Sequence, residues 1–213
     1  MVKTAVLVSG GGTNLQALID ANYFGELKNC ELAAVISSNP DAYALTRAER
    51  AGIPSYVVDI SIFPNRASFC DALLKKLQDL DIELVVLAGF LYVLTPAFVK
   101  EFQNRMINIH PALIPSFCGD GYYGIHVHEK ALEYGVKISG ATAHFVTTVT
   151  DTGPIILQKA VEVEENDTPK TLQQRIMEKA EWIILPKAVS LFCEGRLEVD
   201  GRVVHIKEAE NED

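Results

Sequence analysis

Cysteine is sparse in this chain. The 213 residues contain four, Cys30, Cys70, Cys118 and Cys193, and no two form a Cys-x-x-Cys pair. Such spacing excludes a disulfide framework and a cysteine-based zinc site, and the thiols read as packing residues in a reducing compartment. His126-x-His128 has no third ligand at zinc-like spacing. No metal is therefore expected, and the two histidines read as a surface pair at a helix start. No apolar run approaches the ~20 residues that a membrane-spanning helix needs, so no membrane association is expected. Positive charge is in short supply: 19 Lys and Arg face 28 Asp and Glu, for a net charge of -9. An acidic surface disfavours a polyphosphate backbone, and no nucleic-acid partner is expected. The chain opens Met-Val-Lys and enters a strand pattern at once, without a leader pattern, so a cytoplasmic location is expected. Neither an internal repeat nor a low-complexity linker interrupts it.

Hydrophobic residues make up 48% and charged residues 22%, a balance that supports a soluble globular core. Short β-branched runs alternate with helical patterns. Strands are expected at Thr4–Ser9, Leu32–Ser37, Ser55–Val58, Glu83–Ala88 and Met106–Ile109. Helices are expected from about Asn14, over Asp41–Ala51, over Arg66–Asp79, and over Pro96–Phe102 behind a Thr95 cap. The run Glu83–Ala88 is apolar without alternation, as a strand covered on both faces requires. This rhythm predicts an α/β fold with a doubly wound, mostly parallel sheet. Beyond residue 125 the pattern changes to a helix over His126–Tyr134 and two strands, Gly140–Thr147 and Pro154–Val163. A long helix follows from Asp167-Thr168-Pro169 toward Phe192, kinked near Pro186, and then a hairpin over Leu197–Ile206. The acidic tail Glu208–Asp213 is expected to fray. One compact unit is the simplest organisation.

Two motifs carry chemistry. Ser9-Gly10-Gly11-Gly12-Thr13-Asn14-Leu15 joins the first strand to the first helix, where open α/β sheets bind ligands and where successive backbone N–H groups favour an anion. A dinucleotide fingerprint requires glycine where Leu15 stands and an acid where Ser37-Ser38-Asn39 ends the second strand. A P-loop requires Gly-Lys-Ser/Thr, and no lysine follows Gly12. A single phosphate remains, alongside a plain glycine turn with Thr13 or Asn14 as cap. The second motif is Asn108-Ile109-His110-Pro111, read with Asp151 in Thr150-Asp151-Thr152-Gly153-Pro154. Residues i and i+2 of a strand point the same way, so Asn108 and His110 face one spot. An amide donor and a titratable base there suit a reaction that passes through an oxyanion and moves a proton. Strand-end capping, and for Asp151 an ordinary turn role, are the plainer alternatives.

In this order and spacing, these motifs resemble the folate-dependent phosphoribosylglycinamide formyltransferase family. Val86-Leu87-Ala88-Gly89-Phe90, His144-Phe145-Val146 and Asp151-Thr152-Gly153-Pro154-Ile155-Ile156 extend the resemblance over nearly the whole chain. It implies a Rossmann-like formyltransferase domain over 1–213, with residues 1–110 as the phosphate-substrate half and 111–213 as the folate-side and C-terminal half. It further implies 10-formyltetrahydrofolate as formyl donor, glycinamide ribonucleotide as acceptor, and a monomer or homodimer. Catalysis would fall to Asn108 as oxyanion donor, to a charged His110 as proton source, and to Asp151 as its anionic partner. Gly11, Gly12, Thr13 and Asn14 would hold the phosphate, and Glu181 the ribose. Leu91, Tyr92, Val93 and Leu94 would line the pterin slot, with Asn108, Val146, Thr147 and Asp151 opposite. Arg66 would attract the folate's glutamate tail.

The chain departs from many members in three places. Tyr92 stands where arginine is frequent. The late helix is one residue longer between Arg175 and Pro186. Ser116–Gly124 is a longer loop, a candidate lid with three glycines and two tyrosines. His144 reads as a strand residue with structural partners. Two related activities fit less well. A transfer-RNA formyltransferase requires a basic nucleic-acid-binding domain, and a formyltetrahydrofolate hydrolase normally carries an N-terminal regulatory domain ahead of the first strand.

Overall fold

A computed structural model describes residues 1–208, so most of the acidic tail lies outside the described residues. Strands β1 (Val2–Val8), β2 (Cys30–Ser37), β3 (Ser55–Val57), β4 (Leu84–Leu87) and β5 (Met106–His110) alternate with helices α1 (Thr13–Tyr23), α2 (Tyr43–Arg50), α3 (Arg66–Asp79) and α4 (Pro96–Glu101). The second half comprises α5 (Ile125–Tyr134), β6 (Ile138–Phe145), β7 (Ile155–Glu162), α6 (Pro169–Ile176), α7 (Trp182–Cys193), β8 (Leu197–Asp200) and β9 (Val203–Ile206). All described strands join one sheet, in the order β3-β2-β1-β4-β5-β6-β7-β9-β8. Strands β1 to β5 are parallel, whereas β6 runs antiparallel to both β5 and β7. The expected hairpin forms as β8–β9 and docks through β9 on β7.

Each face of the sheet buries its own core. Alternate residues of β4 and β5 divide between them: Val86, Ile107 and Ile109 join the cluster under α1, α2, α6 and α7, while Val85, Leu87 and Met106 join the one under α3 and α4. The absence of alternation along these strands is thus explained, since both faces are dry. Strand β1 lies between β2 and β4, so the winding direction reverses at its carboxyl end. Ligand crevices of open α/β sheets lie at such switch points. The glycine turn after β1, Gly89 after β4 and His110 at the end of β5 share that edge.

Three elements differ from the sequence expectation. Thr95 caps α4 as expected, its hydroxyl accepting from the Phe98 N–H, but α2 begins at Tyr43, two residues after the expected start at Asp41. Strand β6 stops at Phe145, leaving Val146 and Thr147 in the following loop. The long helix is disturbed ahead of the proline: α7 runs through Pro186, while Met177–Glu181 opens into a π turn in which the Trp182 N–H donates to the Met177 carbonyl. One extra residue in a helix is accommodated in this way without losing the contacts on either side.

Candidate functional site

A cavity of about 480 Å³ opens along the carboxyl edge of β4 and β5. Its apolar end is walled by Phe90, Leu91, Tyr92, Val93 and Leu94, with Val146 and Thr147 across from them. Its other end carries Asn14, Gln173, Met177 and Glu181, and Asn108, His110, Asp151, His128 and His144 also line it. No lysine or arginine is among the described lining residues.

The catalytic candidates converge as the strand register requires. Asn108 and His110 project from alternate positions of β5, and across the antiparallel pair His144 lies directly opposite Asn108. Asp151 sits in a left-handed turn (φ 54°), which Asp tolerates, and this folds its carboxylate back onto the strand ends. Its Oδ2 is 3.4 Å from His110 Nδ1 and accepts from the Gly119 N–H at 2.9 Å, while Oδ1 is 3.6 Å from His144 Nε2. The other His110 nitrogen, Nε2, donates to the Phe117 carbonyl at 2.8 Å. His144 Nδ1 donates to the Phe145 carbonyl at 2.8 Å, which leaves Nε2 to accept from Asn108 Nδ2 at 3.2 Å. A carbonyl can only accept, so His110 Nε2 and His144 Nδ1 carry protons at rest.

Electrostatics refine the sequence reading. Burial is the largest influence on His110 and holds its ring below the usual imidazole range, opposed by the Asp151 charge and the Phe117 carbonyl. At neutral pH the resting ring is therefore mainly neutral. The Asp151 carboxyl is desolvated, which raises its pKa, but His144, His110 and the Gly119 N–H outweigh this and keep it ionised.

At the opposite end, Asn14 Nδ2 donates to Glu181 Oε2 at 2.6 Å, and Asn14 Oδ1 is buried without a partner. Burial pushes the Glu181 carboxyl up to about 7. The π turn delivers Glu181 into this contact despite the extra residue in its helix, so solvated helix surface is not its setting. The Thr13 hydroxyl reaches Met177 Sδ at 3.7 Å. Gly12 occupies the N-cap of α1 with φ 71°, and a Cβ there would stand 2.7 Å from the Ala44 Cβ. The turn thus requires glycine for both backbone and space. Neither Thr13 nor Asn14 caps the helix, because the N-cap has no side-chain hydrogen bond. Gly11, Gly12 and Thr13 flank the cavity end that Asn14 enters without lining it.

Arg66, exposed at the start of α3, lies outside the cavity lining, on the surface where a charged ligand tail would emerge. One sequence expectation, the surface setting of the His126–His128 pair, is not met by the geometry. The helix-start pair divides: His126 is on the surface, bonded to Glu129 at 2.8 Å, whereas His128 is wholly buried against the cavity. Tyr92 has an evident role in packing, with its ring 5.9 Å from Phe90 and 6.1 Å from Phe69. The longer loop is tied to the centre through Phe117, Gly119 and the bond from Thr150 to Asp120. His144 was legible only as a strand residue; its orienting contact to Asn108 depends on the β5–β6 register, which no local pattern encodes.

Comparison with known proteins agrees with this arrangement. Residues 2–189 match the Formyl transferase family model. The chain is 39% identical over 206 residues to phosphoribosylglycinamide formyltransferase of Haemophilus influenzae, covering 97% of this chain and 94% of that one. It is 41% identical to the human trifunctional purine biosynthetic protein adenosine-3 over 97% of its own length, but spans only 20% of that protein. The crystal structure of glycinamide ribonucleotide transformylase 1 from Symbiobacterium toebii superposes with a TM-score of 0.92 at 44% identity, covering 98% of this chain and 95% of that one. Formyltetrahydrofolate deformylase from Burkholderia mallei superposes at 0.85 with 31% identity, over 97% of this chain and 70% of the deformylase. Matched along most of its length by the family model, and nearly end to end by a formyltransferase of similar size, the chain belongs to the formyl transferase family.

Proposed function

We propose that the protein transfers the formyl group of 10-formyltetrahydrofolate to the amine of glycinamide ribonucleotide, giving formylglycinamide ribonucleotide and tetrahydrofolate in purine synthesis. The observation that carries this reading is the junction of Asn108, His110 and Asp151 between two unlike cavity ends. One end, with Asn14 and Glu181 beside the Gly11–Thr13 turn, suits a phosphorylated sugar. The other, the apolar wall Leu91–Leu94 facing Val146 and Thr147, suits a flat pterin ring.

The chemistry follows from the charges that must form. The acceptor amine adds to the formyl carbon, producing an oxyanion and a cationic nitrogen. One Asn108 amide hydrogen is held by His144, which fixes the plane of the amide and leaves the other hydrogen for the oxyanion. His110, neutral at rest, takes the proton from the cationic nitrogen and gives it to the folate nitrogen as the C–N bond to that nitrogen breaks. Asp151 stabilises the imidazolium that exists between these two transfers. For His110 to act, its Nε2 must leave the Phe117 carbonyl and the ring proton must pass to Nδ1, where Asp151 accepts its hydrogen bond; Nε2 then has the lone pair that takes the amine's proton, and the Ser116–Gly124 loop shifts during the cycle. Both ligand positions draw on both halves of the chain, which acts as one catalytic unit.

The test is folate release from 10-formyltetrahydrofolate with and without glycinamide ribonucleotide. The transferase reading expects release only with the ribonucleotide, and its loss in His110→Ala. Release without the ribonucleotide makes water the acceptor and the activity that of a deformylase.

A further inference from the structure

His128 is the buried titratable group in the cavity that the chemistry above leaves unused. It has no solvent exposure, it lines the cavity, and neither Nδ1 nor Nε2 has a hydrogen-bond partner. Buried polar side chains are nearly always paired, so two orphaned nitrogens on one ring demand an explanation. Packing does not supply one: the other buried residues of α5, Val127 and Ala131, are apolar, and a hydrocarbon side chain at 128 would suit them equally well. Burial, with the nearby His110 as a lesser cause, pushes the pKa of the His128 ring down to about 4. It therefore presents one N–H donor and one lone pair at neutral pH. Helix α5 packs against α6, which carries Gln173 at the acceptor end of the cavity.

We infer that His128 is a direct contact for the acceptor's glycinamide segment, its two unpartnered ring nitrogens pairing with the amide that links the ribose to the attacking amine and with that amine itself. This rests on the formyl-transfer reading and adds a specificity determinant to it. If Asn14 and Glu181 hold the sugar while His110 serves the formyl carbon, that segment has to run past the wall that α5 contributes. A neutral imidazole matches it, offering a donor for a carbonyl and an acceptor for an N–H. A cationic residue would repel the amine as it becomes positive, and an aliphatic one would leave the polar segment unpaired. The site thus distinguishes an aminoacyl-amide acceptor from a bare sugar phosphate.

Calorimetric titration of wild type, His128→Leu and His128→Gln with glycinamide ribonucleotide and with ribose 5-phosphate tests this directly. For His128→Leu, affinity for the ribonucleotide should fall roughly tenfold or more, with ribose 5-phosphate binding unchanged. His128→Gln, which keeps a donor and an acceptor, should recover part of the loss. Without ligand, His128→Leu should melt at or above the wild-type temperature, because an unpaired buried group is removed. Equal loss for both ligands, no loss for either, or a lowered melting temperature in both variants would each overturn the inference in favour of a packing role. The wild-type titration separates this from the broader reading: a wild type that does not bind the ribonucleotide defeats formyl transfer itself, before any variant is compared.

Discussion

Replacing Asp151 by asparagine removes one charge and almost no volume, and its consequences can be worked from distances. The amide oxygen of the new side chain still accepts from the Gly119 N–H, so the tie to the loop survives. What is lost is the anion 3.4 Å from His110 Nδ1. At that separation and an effective dielectric of about 20, the attraction for an imidazolium is roughly 5 kcal/mol before desolvation is counted. Losing a preorganised electrostatic contact of this kind typically raises a barrier by about 3–4 kcal/mol, or two to three decades in kcat. The same substitution removes the main influence that raises the His110 pKa, while burial continues to lower it. The ring should therefore titrate at a still lower pH than in the wild type. Folate release measures kcat, and ring-labelled histidine NMR, assigned with His110→Ala, measures the titration. A His110 pKa that rises or stays put, or a kcat within a few-fold of wild type, would refute the proton-shuttle reasoning.

Three further outcomes follow from the same geometry. Asn108→Ala should lower kcat by about 10²–10³ in a protein that remains folded by circular dichroism, because it removes the oxyanion donor while leaving β5 paired. Glu181 has a folded-state pKa raised to about 7, so it favours the folded state while protonated at low pH. That contribution, roughly 3 kcal/mol, is lost as pH rises from the unfolded value near 4.5 through 7. Urea melts at pH 5.5 and 8 should show wild type losing more stability than Glu181→Gln over this window. Gly153→Ala places a Cβ 1.6 Å from the Phe145 carbonyl oxygen, next to the Phe145–Pro154 backbone bond that closes the β6–β7 pair. A loss of roughly 3 kcal/mol or more is expected, along with displacement of the Asp151 turn, seen as a lowered melting temperature and lost turnover.

The sequence by itself determined the parallel half of the sheet and the chemistry at its edge. Apolar runs such as Leu84–Leu87, within a strand–helix alternation, read as strands covered on both faces, and period-two alternation alone put Asn108 and His110 on one side of β5. Failing the dinucleotide and P-loop patterns narrowed the glycine turn to a simpler role. Tertiary structure decided the remainder, because each remaining question concerned a pairing distant along the chain. His144 orients Asn108 only through the register of β5 against β6, and Glu181 meets Asn14 only because a π turn absorbs one residue. Arg66 and His126 belong to the surface and His128 to the cavity wall, a distinction set by helix facing that a His-x-His pair cannot announce. The protonation of His110 was likewise undecidable from residue types. The neighbouring carboxylate was legible in the sequence, but the desolvation that outweighs it depends on how completely the fold encloses the ring.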